Sequence, residues 1–502
     1  MLKKTKTLAL GLTLSALLPV QISYVLGGNR FLDAFVLLLA PAFCLYLFAL
    51  FITPPEKNDG YRVALFLLAV FVGLSLLGSS RFAVAVIDDH YHRPKILASC
   101  FGNHFYGKWL AMLFLSEHNM FFLFMDFVET VWGLCWRLTR WDFVIVLLQA
   151  LPIVVLWKGV FDFFKREGVH YAGPLALAVI LSLQVLWCQQ ASGFIDGTVG
   201  IFCGLALLNT YSILKHEDFR PSFLMITGLA LVSVLCVISK PHLMLVGLLG
   251  IATAFRSADK HLGAVGRMTV WLVAAVGAMY FVFYCLNMGV VTGTSYADHV
   301  SKLNAANNGW NGMESQYFQC HPAFHRLHAA HIDLRSVYMA VGWFFDYKYR
   351  PWITPDPEVG GNGLLWTYVV VPVLCVFVWR SIRHLKSTVR RFKRPHWLIA
   401  ALLLCYWLFS DGSIVNRFSL GFDIFMMSWA FVYLRKRVLV FLDRQMGREW
   451  AWGLLVALFL AVSLGNYLIA IRGDILPKKT ENNTLSAAYH KISWIYTPFP
   501  GI

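Results

Sequence analysis

The chain has 502 residues, 58% hydrophobic and only 14% charged, with a formal net charge of +16. Soluble globular domains carry about 25% charged residues, so this composition and a mean hydropathy of +0.62 exclude an ordinary soluble domain and specify a polytopic membrane protein. The apolar runs are unbroken rather than alternating, which points to spanning helices and away from a β-barrel.

In chain order the runs predict about thirteen spans, at 8–25, 31–52, 63–79, 143–160, 172–187, 199–214, 222–238, 242–255, 268–286, 364–379, 397–409, 418–434 and 450–471. The first follows "MLKKTK" and resembles a signal peptide in its charge, but "ISYVLGGNR" offers no small-x-small cleavage site, so it is read as an anchor. With the N-terminus in the cytoplasm, alternation puts most of the 43 Lys and Arg on the short inside segments, such as "RSADKHLGAVGR", "RSIRHLKSTVRRFKR" and "RKRVLVFLDRQMGR". That is the asymmetry the positive-inside rule demands. The positive charge is therefore explained by topology and by attraction to anionic inner-leaflet lipid. It carries no sign of a nucleic-acid partner, since no reading helix or stacking motif accompanies it.

This orientation defines one transmembrane domain, 1–471, with large outside loops at 80–142 and 287–363 and an outside tail at 472–502. The polar machinery faces outward. "AVIDDHYHRPK", 85–95, puts Asp88, Asp89, His90 and His92 at the end of the third span. "FFLFMDFVETVWGLCWRLTRW", 121–141, is apolar but interrupted by Asp126, Glu129, Arg137 and Arg140, the pattern of a helix lying along the membrane. The short outside turns carry Asp196 in "CQQASGFIDGT", Lys240 in "SKPH", and Asp411 and Arg417 in "SDGSIVNRF". Charges at span ends are costly unless paired or solvated, so each is a functional candidate; Lys and Arg also snorkel there routinely.

Taken in order, these residues resemble the GT-C glycosyltransferases, the polytopic enzymes that use polyprenyl-phosphate-linked sugars, including the dolichyl-phosphate-mannose and aminoarabinose transferases. The resemblance covers most of residues 60–435: the acidic pair in the first outside loop, the membrane-lying helix after it, the aromatic-x-Asp-Gly of "FIDG" opening a span, "VISKPHLML" at 237–245, the Gly-rich entry "DPEVGGNGLLW" at 356–366, and "VNRFSLGFDIFMM" at 415–427. It implies an all-α GT-C-like fold and an inverting transfer of sugar from a polyprenyl-phosphate donor to a glycan or glycolipid acceptor on the non-cytoplasmic face. The implied setting is a bacterial inner membrane with a periplasmic active site. A first-loop carboxylate, Asp88 with Asp89 beside it, would take the acceptor's proton. Lys240 and Arg417 would hold the donor phosphate, where the planar Arg fork suits two phosphate oxygens. Asp196, His90 and His92 would meet sugar or acceptor.

"CHPAFHRLHAAHIDLR", 320–335, spaces His321, His325 and His328 along one helical face. It reads as an acceptor-binding helix. No HExxH or paired CxxC accompanies it, so no metal is required, although a divalent ion is an open alternative. The ten cysteines form no framework; Cys100, Cys135 and Cys320 lie outside, with one disulfide among them an open alternative. Short inside loops offer no phosphate cradle for a nucleotide sugar or ATP. Two rival functions stay open: a polysaccharide polymerase or O-antigen-ligase-like enzyme, and a transporter or lipid flippase, which would show mid-span charge and broken helices.

Overall fold

The structure is a computed structural model that describes residues 60–79, 143–183, 185–187, 196–216, 219–239, 243–292, 363–384, 420–438 and 449–475. Among these residues 92% are helical and there is no strand. The helices are α1 (Tyr61–Ser79), α2 (Phe143–Arg166), α3 (Ala172–Ser182), α4 (Asp196–Lys215), α5 (Phe223–Ser239), α6 (Met244–His261), α7 (Ala264–Thr292), α8 (Val371–Arg383), α9 (Leu420–Tyr433) and α10 (Glu449–Ile475). A π-helical turn, Trp366–Val370, leads into α8, and another, Leu434–Val438, continues α9.

By length and composition, Gly197–Lys215, Trp366–Arg383 and Trp450–Leu468 are each able to cross a membrane. Tyr61–Leu74, Ala172–Ser182, Phe223–Ser239 and Ala264–Met279 are apolar but shorter. The spans expected at 8–25, 31–52 and 397–409, the membrane-lying segment 121–141 and nearly all of the loop 287–363 lie outside the described residues, as does the tail from 476 on.

Helix α3 sits at the centre. From Ala172 to Ser182 almost every residue is buried, and it packs against α1, α2, α9 and α10. A helix apolar on all sides needs neighbours all round. The tight turn before it uses two residues at positive φ, Gly168 (φ 66°) and Tyr171 (φ 58°). The second bundle face is α4, packed on α2, α5, α6 and α9, with α7 against α5 and α6.

Small residues let these helices approach, as expected where both solvent and core are apolar. A Cβ on Gly200 would fall 2.8 Å from Leu420 Cδ2, and one on Gly204 would fall 2.8 Å from Ile424 Cγ2. From the other side, a Cβ on Gly421 would lie 2.4 Å from Cys203 Cβ. The GxxxG pair on α4 therefore seats α9. Gly247 does the same between α6 and α5, where its Cβ would meet the Ser233 carbonyl at 2.5 Å. Exposed faces carry Phe66 and Val70 on α1, Met268 and Trp271 on α7, Trp379 on α8, and Leu454 and Leu458 on α10. Such apolar outward faces suit lipid rather than water.

One expected span differs. The run 172–187 was read as continuous, but α3 stops at Ser182; Leu183 adopts φ −76°, ψ 78°, and helix resumes at 185. Eleven helical residues rise only about 17 Å, so the helix breaks off well short of the roughly 30 Å that a hydrocarbon core requires. Backbone polar groups freed there need partners. Asn466 Nδ2 of α10 donates to Ser182 O at 2.8 Å, Ser182 Oγ donates to Val179 O at 2.7 Å, and Trp187 Nε1 donates to Ile180 O at 2.9 Å. Gly363 packs against the same point: at φ +83° any added Cβ would sit 2.5 Å from Ser182 O. The break is invisible in hydropathy because its partners are remote in sequence.

Candidate functional site

A charged cluster stands at the C-terminal ends of α2, α4 and α9. It is built on Glu167, whose side chain is wholly buried at the turn after α2. Lys215 Nζ, at the end of α4, donates to Glu167 Oε2 at 2.7 Å. Lys436 Nζ, from the turn after α9, donates to the same oxygen at 2.9 Å. His216 Nε2 lies 3.0 Å from Oε1. Burial alone would raise the Glu167 pKa; hydrogen bonding and charge from Lys215, then the bonds from Lys436 and His216, outweigh it and lower the value from 4.5 to about 2. Beside it, Arg166 donates from Nη2 to Asn209 Oδ1 at 3.2 Å and from Nη1 to Met225 Sδ at 3.7 Å, tying α2 to α4 and α5.

This cluster is a clamp rather than a reaction centre. Its carboxylate has no exposure and is held as an anion by three donors, so it is poorly suited to accept a further proton. The sequence reading expects the segment that holds Lys436 on the inside and attaches no role to Glu167. The available signal is a lone acid in the basic stretch "KREG".

At the opposite end lie the helix ends next to three of the residues singled out from the sequence. Helix α4 opens at Asp196, as "FIDG" led us to expect; an acidic residue there suits the helix dipole. One turn on, Gly200 lies against Leu420, the first residue of α9, and Arg417 precedes Leu420 by three positions. Helix α5 ends at Ser239, immediately before Lys240. Near that end, Cys236 of α5 lies beside Cys203 of α4, and Gly421 of α9 packs on Cys203. The helix ends that adjoin Asp196, Lys240 and Arg417 therefore meet at one end of the bundle, and the Glu167 clamp holds the other.

Asp88, Asp89, His90, His92, Lys240, His321, His325 and Arg417 themselves lie outside the described residues, as do Cys100, Cys135 and Cys320. Among the described residues no group of His, Cys, Asp or Glu is arranged to hold a metal ion. Compared with family models, curated proteins and solved structures, the chain matches none.

Proposed function

We propose that the chain is an inverting glycosyltransferase that moves a sugar from a polyprenyl-phosphate donor to a glycan or glycolipid acceptor at the non-cytoplasmic membrane face. One observation supports this most. The helix ends next to Asp196, Lys240 and Arg417 converge, through Gly200 against Leu420 and Cys203 against Cys236. Two cationic residue types at one membrane end suit a lipid phosphate. An acceptor hydroxyl attacks the anomeric carbon, the new C–O bond forms as the bond to phosphate oxygen breaks, and polyprenyl phosphate leaves with the electron pair. Asp88 accepts the acceptor's proton and Asp89 orients the acceptor. Arg417 and Lys240 stabilise the leaving phosphate, an electrostatic contribution that is often the largest in such chemistry. Asp196, His90, His92, His321 and His325 meet sugar or acceptor. In this reading no metal is required, and the enzyme works in a bacterial inner membrane with its site in the periplasm.

The break at Leu183 favours a second reading, a transporter, because discontinuous helices commonly build substrate sites at membrane depth. The two readings separate by experiment. Purified protein in micelles is given a panel of radiolabelled polyprenyl-phosphate sugars with membrane glycolipid extract. Label transferred to the extract, with release of polyprenyl phosphate, supports the transferase. No transfer from any donor, together with sugar-lipid movement across proteoliposomes, supports the transporter and overturns our reading.

A further inference from the structure

The C-terminal ends of α8 and α9 lie side by side, and both carry arginines. Arg380 Nη1 donates to the backbone carbonyl of Arg437 at 3.1 Å. A turn away, the Phe377 ring packs edge-on against Trp429 at 5.0 Å and Tyr433 at 5.5 Å, which fixes the spacing of the two helix ends. Arg435 adds a third contact, its guanidinium 5.5 Å from the Trp452 ring of α10. Lys436, between Arg435 and Arg437, turns inward to Glu167. Arg380, Arg383 and Arg437 are exposed. Arg380 and Arg383 lie three positions apart on one helix, so two exposed guanidinium groups share a face beside the Arg437 backbone, a surface that suits an anion.

The surroundings identify the anion. Trp379 and Ile382 are 65% and 66% exposed next to Arg380 and Arg383 on α8, and Trp450 is 55% exposed on α10, two residues from the Trp452 ring that Arg435 meets. Trp is the residue of the headgroup layer, where one side of the ring is apolar and the other wet. A soluble phosphate needs no such apolar border; a phospholipid does, because its acyl chains continue along the outer faces of α8 and α10. Guanidinium forks match phosphate oxygens bidentately.

We propose that Arg380, Arg383 and Arg437, with Arg435 behind them, bind the phosphate of an anionic phospholipid of the inner leaflet. The site lies at the opposite end of the bundle from the proposed donor site, and its test needs no transferase activity.

The test uses the full chain in nanodiscs of phosphatidylglycerol and phosphatidylcholine at equal amounts, released into detergent, with retained lipid counted by native mass spectrometry. The wild type should retain phosphatidylglycerol preferentially. The exposed double variant Arg380→Gln/Arg383→Gln should retain about tenfold less, and Arg380→Lys, which keeps charge but loses the fork, should fall between. The control Arg256→Gln/Arg267→Gln removes two exposed charges from the ends of α6 and α7 and should match the wild type. Equal losses in both double variants would show diffuse surface attraction and overturn the proposal. So would a wild type without preference, or displacement of phosphatidylglycerol by millimolar inorganic phosphate, which would assign the site to a soluble anion. Each variant is first checked for a single monodisperse species.

Discussion

Replacing Glu167 by Gln tests the clamp that holds α2, α4 and α9 together. The substitution keeps the shape and removes the charge that Lys215, Lys436 and His216 address. A carboxyl lowered from 4.5 to about 2 has its charged form favoured by about 3 kcal/mol, at about 1.4 kcal/mol per pKa unit. Removing one member of a buried pair costs about 3–5 kcal/mol. The Lys436 and His216 side chains are 42% and 36% exposed and regain hydration when released, so the expected loss is about 2–3 kcal/mol. The assay is a melting curve in detergent, followed by tryptophan fluorescence, for wild type and Glu167→Gln from pH 7 downward. Because the folded pKa is depressed, the charged carboxylate contributes its full stability above about pH 4.5 and loses it as pH falls toward 2. The gap between the two proteins should therefore be widest at pH 5–7, narrow below about pH 4 and close near pH 2. Groups remote from Glu167 are the same in both proteins and cancel. Identical melts at pH 7, or a gap that persists unchanged at low pH, would refute the assigned geometry.

Other perturbations follow from the same packing. Gly421→Val drives a branched side chain into Cys203, where even a Cβ would lie 2.4 Å away, and should cost about 3 kcal/mol or prevent folding, read by yield of monodisperse protein. Asn466→Leu removes the donor to Ser182 O and leaves that carbonyl buried and unbonded, at a cost of about 1–3 kcal/mol; Asn466→Gln should fail to restore it if the 2.8 Å contact is specific. Asp162→Asn, by contrast, breaks only the partly exposed i,i+4 pair with Lys158 and should change stability by less than about 0.5 kcal/mol. Single cysteines at positions 196, 240 and 417, in a background without reactive thiols, should react with a membrane-impermeant maleimide from outside intact cells. Cysteines at 216 and 436 should react only after permeabilisation.

Much of the helical pattern is legible in the sequence because lipid imposes it. Long apolar runs must be helices, and α4, α5, α7 and α10 overlap the runs that predict them. The start of α4 at Asp196 is legible too, since a Gly and an acid after an aromatic residue mark a helix entry. Other features were not legible. The break after Ser182 lies in an apolar run whose Gly173 and Pro174 stand at its start, two turns away, and Asn466, which satisfies it, is 284 residues away. Glu167 is a single acid in a basic turn, and its importance depends on three partners brought together only by the fold. Both cases share a cause: hydropathy is a local property, whereas satisfaction of a buried polar group is a property of the assembled bundle. The convergence of the Asp196, Lys240 and Arg417 ends lies between these extremes. Alternation of spans leads one to expect them on one side; the small residues at 200, 204 and 421 then let α4 and α9 meet.

The transferase reading is tested most directly by turnover of the polyprenyl-phosphate sugar donor in wild type, Asp88→Asn, Arg417→Ala and Arg417→Lys proteins that are equally well folded. Asn keeps the size and hydrogen bonding of Asp but cannot take the acceptor's proton, so Asp88→Asn should lower turnover by about 10²-fold or more. Arg417→Ala should weaken donor use strongly and Arg417→Lys should restore only part of it, because the point charge returns without the fork. Rates near wild type in Asp88→Asn, Asp89→Asn and their double variant, with full donor use in Arg417→Ala, would contradict the account.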